Sequence, residues 1–427
     1  MFAWDPGALR GEALRSGPSP STKRRTPKRG ESVFPQNSAH LRILMLNGDI
    51  RGLASFWRCY HLARELSRLG HEVRLITVSR TRRVTPQTER SDRLSLIESP
   101  NLLDLVYGLG AGYGVLGIPY RMLEVARDRF DIVHAFEARP NVLLPAMLSR
   151  FLNGCPLVAD WADWWGFTGD GSGSQERSRW PVPQLETAAE EFIHREAEEV
   201  TTISTGLRDR ALSLGIPSDR VWWIPSGAPA DAIRPLDKMS CRRELGISPS
   251  AYIIGYLGSD LRDLDMLSPA LAPLRKSHPR VKLGIIAPKP STLLGPGFTD
   301  AVIPFGHVPF SRLPLYLGAC DAFVLALRDT VFNRNRWPNK FGDYLAAGRP
   351  ILCSNVGDVA RIVEEERCGV VWSDLAEFID GAKALIDNQP AADAIGGAAR
   401  RVAEGRLSWS SLALQFLSVY QHAVALA

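Results

Sequence analysis

Lys340 and Asp343 stand three residues apart in the stretch RWPNKFGDYLAAGRP, residues 336–350. Pro338 suits a helix start, where its missing N–H costs nothing, and Gly348 suits the residue just past a helix end. The spacing predicts a short helix over about 338–347. Phe341, Tyr344 and Leu345 share its core face, and Asn339, Lys340 and Asp343 share the other. A helix start offers free N–H groups to an anion. A Lys beside it adds charge for a phosphate, and an Asp one turn on accepts hydrogen bonds from a diol such as a ribose. A nucleoside diphosphate satisfies all three features. A surface Lys–Asp pair, worth about a few tenths of a kcal/mol, satisfies the residue types equally well.

Other stretches carry candidate chemistry with a plainer reading beside it. His134 ends the apolar run DIVHAF, where it reads as a cleft residue or as a core histidine bonded to backbone. VADWADWWG, residues 158–166, puts Asp160, Asp163 and Trp164 at a strand end. Aromatic faces beside carboxylates suit a sugar acceptor, and Trp packing at a domain edge is the alternative. Asp263 and Asp265 are spaced like a metal-binding pair, but they open a helix, where Asp is favoured as a cap. NGDIRG, residues 47–52, lacks the glycine spacing of a dinucleotide loop, and no acidic residue ends the second strand. Gly48 and Gly52 are instead expected to let this loop approach donor phosphates across a cleft.

The elements that must position these residues alternate. LRILMLNGD, HEVRLITVS, FDIVHAF, CPLVADW, EEVTTIS and RVWWIPSG are apolar runs of strand length, with helical segments between most of them. The Pro-rich stretch from about 225 to 250 interrupts the pattern, which restarts at YIIGYLGS. The expectation is an α/β protein of two doubly wound, Rossmann-like domains facing a cleft. Its parts are a basic extension over 1–40, a first domain over 41–235, a second over 236–405 and a closing helix over 406–427. LVYGLGAGYGVLGIPY, residues 105–120, lacks charge but holds five Gly, so a buried or loop segment is expected, with a membrane- or acceptor-facing surface as the alternative.

The net charge of +5 is misleading. Residues 1–40 contribute +4, and the other 387 residues carry +1. A nucleic-acid-wide basic surface is therefore not expected. The extension is rich in Ser, Pro, Lys and Arg without apolar periodicity, and reads as disordered, or as an arm for anionic lipid. The six Cys form no C-x-x-C pair and no zinc-spaced cluster with His, which suits buried free thiols in a reducing cytoplasm. No metal ligand set and no transmembrane run are expected.

RWPNKFGDYLAAGRPIL resembles the nucleotide-sugar motif of glycosyltransferase family 4, on the GT-B fold. RILMLNGD, HLARELSRLGHEVRLI, DIVHA, LRDRALSLGIPSDRVWWIPSG, IGYLGS and WSSLALQFLSVY follow in that family's order, so the resemblance covers about 41–425. It implies transfer of a sugar from a nucleoside diphosphate sugar with retention at the anomeric carbon, without metal or other cofactor. The implied acceptor is a glycan or lipid-linked molecule in cell-envelope polysaccharide or glycolipid synthesis. The implied location is cytoplasmic, with peripheral membrane contact. The resemblance places Asp343 on the ribose. It places Asn335 where the family has a first acidic residue for the donor sugar, and Ser259 after Gly258 where the family often has a phosphate Arg. Arg262 takes the place of the family's phosphate Lys, with Lys340, Arg334 or Arg336 to supply the missing charge. Asn339 and His134 complete the implied site. A silent member that binds a nucleotide sugar or assists a partner transferase is the second reading.

Overall fold

The computed structural model describes residues 40–81, 84–101, 112–114, 116–164, 166, 169–170, 172, 182–258, 261, 263–287 and 301–426. The basic extension up to Ala39, Ser259, Arg262 and half of the Gly-rich stretch lie outside them. The described end of that stretch turns into a helix at Gly117.

Two sheets form. The first contains β1 (Arg42–Ile50), β2 (Glu72–Val78), β3 (Gln87–Ser91), β4 (Leu94–Ser99), β5 (Ile132–Phe136), β6 (Leu157–Trp161), β7 (Glu199–Thr202) and β8 (Val221–Trp223), in the order β3-β4-β2-β1-β5-β6-β7-β8. The second contains β9 (Tyr252–Leu257), β10 (Val281–Ile286), β11 (Val302–Gly306), β12 (Ala322–Leu325), β13 (Ile351–Ser354) and β14 (Gly369–Trp372), in the order β11-β10-β9-β12-β13-β14. Every pairing is parallel except the β3–β4 hairpin at the edge. Each sheet therefore reverses direction once, between β1 and β5 and between β9 and β12. Such reversals open a crevice at the carboxyl ends of the strands.

The strands are apolar because helices cover both faces. In the helix Phe56–Arg68, Phe56, Cys59, Leu62, Ala63 and Leu66 recur at three- and four-residue steps and are all buried against β1 and β2. The last helix, Trp409–Leu426, does not stay with the second sheet. It returns to the first, where Leu412, Phe416, Val419 and Tyr420 pack with Ile43, Met45 and Val73. All six Cys are buried and unpaired.

Register places functional backbone. Asn47 of β1 lies beside Phe136 of β5, so Gly48 and Asp49 emerge next to Glu137. In the second sheet Ile254 and Gly255 pair with Ala322 and Phe323, and Gly258 follows β9 at the crevice.

Candidate functional site

The predicted helix is present as Asn339–Ala347, with Pro338 as its N-cap residue and Gly348 past its end at φ 67°. Phe341, Tyr344 and Leu345 are fully buried, as the spacing predicts. The Tyr344 ring stacks on Phe323 of β12 at 4.3 Å between centroids, and its hydroxyl accepts the Leu257 N–H at 2.8 Å. These contacts fix the helix start beside the end of β9. Gly342 is required on the adjoining face, because a Cβ there would lie 2.7 Å from the Gly227 carbonyl oxygen.

Lys340 Nζ stands 4.0 Å from the centre of the Tyr256 ring. A Cβ built on Gly258 would come within 3.1 Å of the same nitrogen. The Lys charge thus lies over an aromatic face at the bare backbone that ends β9. Asp343 is half-buried, and among the described residues it makes no hydrogen bond or ion pair. Burial alone pushes its carboxyl up to about 7. The plain reading of a Lys340–Asp343 salt bridge is therefore absent. The nearby guanidiniums are engaged: Arg334 forks onto Asp329 at 2.5 and 2.7 Å, and Arg336 pairs with Asp263 at 3.1 Å. Asp263 also accepts the Arg328 N–H, so it serves as an anchor for this loop.

The helix reaches the first sheet through Asn339, whose amide donates to the Ala54 carbonyl at 2.9 Å. Ala54 belongs to the turn after β1, with φ 41°, and Gly52 in the same turn has φ 85°. The Gly52 carbonyl accepts the Trp57 indole N–H at 2.9 Å, and Trp57 stacks on Phe310 of the second half at 4.8 Å. Gly48 faces the other way: a Cβ there would meet Glu137 Oε2 at 3.1 Å and Asn141 Oδ1 at 3.5 Å.

Three sequence expectations are corrected. His134 is fully buried, its Nδ1 lies 2.8 Å from the Tyr420 hydroxyl, and burial lowers its pKa to about 3. It belongs to the core under the last helix and not to the cleft. Asp160 is also fully buried. Arg58 donates Nε and Nη2 to it at 2.8–3.2 Å, and the Thr201 hydroxyl donates at 2.6 Å. Its oxygens are filled from within, so it offers nothing to an acceptor. Asn335 turns its amide onto the Val331 carbonyl at 2.7 Å and seats its Oδ1 against Gly206, leaving a Cβ at 206 no room. Its backbone carbonyl accepts the Ser204 hydroxyl at 2.7 Å. The place expected to read the donor sugar instead joins the two halves.

Asp163 and Trp164 are half-buried at the end of β6. The Arg210 guanidinium lies 4.0 Å over the Trp164 ring. Beyond them, Asp170 and Ser172 accept the N–H groups of Val331 and Phe332, capping the short helix Val331–Asn335 across the cleft. Sequence reasoning missed Tyr256 as the seat of Lys340, although it stands two residues before Gly258. It also missed the polar cluster of Asp49, Ser55, Glu137 and Arg139.

Comparison with known proteins agrees with this geometry. A family model described as "Glycosyl transferase 4-like domain" matches residues 57–227. One described as "Glycosyl transferases group 1" matches residues 249–388. A D-inositol 3-phosphate glycosyltransferase of Nocardia farcinica is 26% identical over 294 residues, which cover 58% of this chain and 63% of that protein. Against such a relative from Segniliparus rotundus the share is 46%, so the chain spans about half to under two thirds of these relatives. Among solved structures, sucrose-phosphate synthase from Thermosynechococcus elongatus superposes with a TM-score of 0.67 at 16% identity, over 91% of this chain and all of that one. Anabaena Alr3699/HepE, in complex with UDP-glucose, gives 0.63 at 14% identity, over 90% of this chain and all of that one.

Proposed function

From a chain that belongs to glycosyltransferase family 4, on the GT-B fold, we propose a retaining transferase that moves a sugar from a nucleoside diphosphate sugar to a hydroxyl acceptor. The second sheet holds the donor and the first receives the acceptor. Asp343 carries this reading. An acceptor-rich carboxyl with no partner among the described residues, one turn into a helix whose start bears Lys340, suits a ribose diol next to a diphosphate. No metal is required, because Lys340, Arg262 and the helix N–H groups meet the charge of the departing diphosphate. Gly258 gives the diphosphate close approach to backbone, the family resemblance assigns Ser259 to the same donor, and Asp163 and Trp164 border the acceptor.

Asp343→Ala should weaken binding of the bare nucleoside diphosphate, not only of the sugar nucleotide. The expected cost is about 1–3 kcal/mol, as for hydrogen bonds to a charged acceptor. An ionised carboxylate accepts from both ribose hydroxyls, so wild-type affinity should rise as pH passes upward through about 7. Asp343→Asn should lose that rise. Titration calorimetry with UDP, GDP, ADP and dTDP measures both, and unchanged affinity in Asp343→Ala would refute the ribose assignment.

Release of nucleoside diphosphate from a panel of UDP-, GDP-, ADP- and dTDP-sugars tests the transferase reading itself. The withdrawn Asn335 amide favours one competing reading, a silent GT-B protein that binds the nucleotide sugar or assists a partner transferase. Binding without cleavage of any donor, with acceptors supplied, would establish that alternative.

A further inference from the structure

Ser55 ends the turn after β1 and precedes the helix Phe56–Arg68. Its Oγ has three partners at 2.8 Å: Asn47 Nδ2, Asp49 Oδ2 and Glu137 Oε1. Asn47 Nδ2 can only donate. The hydroxyl has one hydrogen, so it can donate to just one of the two carboxyl groups. The remaining contact between two oxygens needs a proton on a carboxyl. The surroundings assign that proton. Asp49 Oδ2 also accepts the Ser55 N–H at 3.1 Å, and Asp49 Oδ1 accepts from Arg139 Nη1 at 3.1 Å. Asp49 therefore has the partners of a carboxylate. Among the described residues Glu137 Oε2 has no hydrogen-bond partner, and Arg139 Nη1 stands off at 3.6 Å. With the proton on Glu137, every contact at Ser55 is satisfied: it accepts from Asn47 and Glu137 and donates to Asp49.

The same residue is strained. Glu137 has φ 75°, a left-handed conformation costly for a side chain with a Cβ. It is buried at the reversal between β1 and β5. Burial first, and then the neighbouring Asp49, push its carboxyl well above the usual range, while Arg139 opposes them. The other groups around this cluster are Arg121, which donates to the Asn47 and Asn141 carbonyls, and Cys59, Tyr113 and Glu186.

We propose that Glu137 is a positioning residue, a neutral acid whose proton fastens the turn after β1 and, through the Ala54 carbonyl, fixes Asn339 at the start of the donor helix. Losing that proton leaves two carboxylates against one hydroxyl hydrogen and frees the turn. The donor-side role rests on the proposed function; the latch itself does not. A group whose pKa is raised on folding contributes order that is present at low pH and lost as pH rises through the raised value. Asp343 acts on nucleotide affinity with the opposite sign, so affinity alone does not isolate the latch.

The Trp57 indole N–H bonds to Gly52 within the turn and reports on it directly. Its resonance in the ¹⁵N-labelled full chain, assigned with Trp57→Phe, should shift as pH rises. Stacked His61, held down to about 3 by burial, stays neutral through that range. Glu137→Gln supplies an amide donor to Ser55 and should hold the resonance at its low-pH position throughout. A wild-type titration that persists unchanged in Glu137→Gln would overturn the proposal, as would a wild-type resonance that never moves before unfolding. If the variant fails to fold, infrared spectra of the wild type decide. A neutral carboxylic acid band at neutral pH that moves with ¹³C-glutamate labelling supports the latch, and its absence refutes it. UDP, GDP, ADP and dTDP added at low and high pH test the donor-side link. If none binds, the function is wrong while the indole titration still judges the latch.

Discussion

Lys340→Ala should lower turnover at saturating donor by about 10²–10³-fold, with a much smaller change in donor affinity. In the proposed metal-free transfer, negative charge grows on the leaving diphosphate as the glycosidic bond breaks. A cation that meets this growing charge is worth more in the transition state than in the bound ground state. Lys340 is placed for this, over the Tyr256 ring beside Gly258. A competing role as the counter-ion of Asp343 would predict lost ribose affinity and an intact chemical step, but Asp343 makes no ion pair among the described residues. Arg334 and Arg336 are tied to Asp329 and Asp263 and do not readily substitute. Single-turnover rates at saturating donor measure the effect. A wild-type rate in Lys340→Ala would shift the task to Arg262, whose own Ala variant should then show the same loss.

Asp160→Ala should destabilise the chain by about 3–5 kcal/mol, the cost of leaving a buried guanidinium without its partner. Arg58 is 1% exposed and gives Nε and Nη2 to Asp160, while Nη1 and Nη2 also donate to the Pro225 and Ile224 carbonyls at 2.9 Å. Its charge has nowhere else to go. Asp160→Asn should cost less, since the amide oxygen still accepts. Urea unfolding followed by probes in the first sheet gives the comparison. A loss under about 1 kcal/mol, together with a raised acceptor KM, would restore Asp160 to the acceptor site.

The contrast between Asp343 and Asp160 shows what the sequence could reveal. Asp343 sits in a helix whose caps, period and polar face are all local, so its placement followed from neighbours within one turn. Asp160 depends on Arg58, 102 residues earlier. In a sheet buried on both faces, apolar residues do not alternate with polar ones, so nothing local said which way Asp160 or His134 points. Asn335 failed similarly. Its neighbours Gly206 and Ser204 come from the other half of the chain. The helix Val331–Asn335 has only five residues, too few for a period, and just the Thr330 cap marked it. The β3–β4 hairpin turns at Asp92 with φ 50°, a conformation that residue type suggests weakly. The Glu137 latch was invisible for the same reason, because it joins three segments through one hydroxyl.

The return of the last helix sets the order of synthesis against the order of burial. The first sheet is complete when Trp223 leaves the ribosome, yet one of its covering layers begins at Trp409. At about 5–20 residues per second, the layer arrives roughly ten to forty seconds later. Until then Ile43, Met45 and Val73 have no Phe416 or Tyr420 to meet, His134 has no phenol, and Arg58 has no Phe416 ring. The nascent first half must wait with an apolar face uncovered, and a chain that stops short of Trp409 never closes it. Completion of the amino-terminal core in this way waits on synthesis of the second sheet and of the helix that follows it.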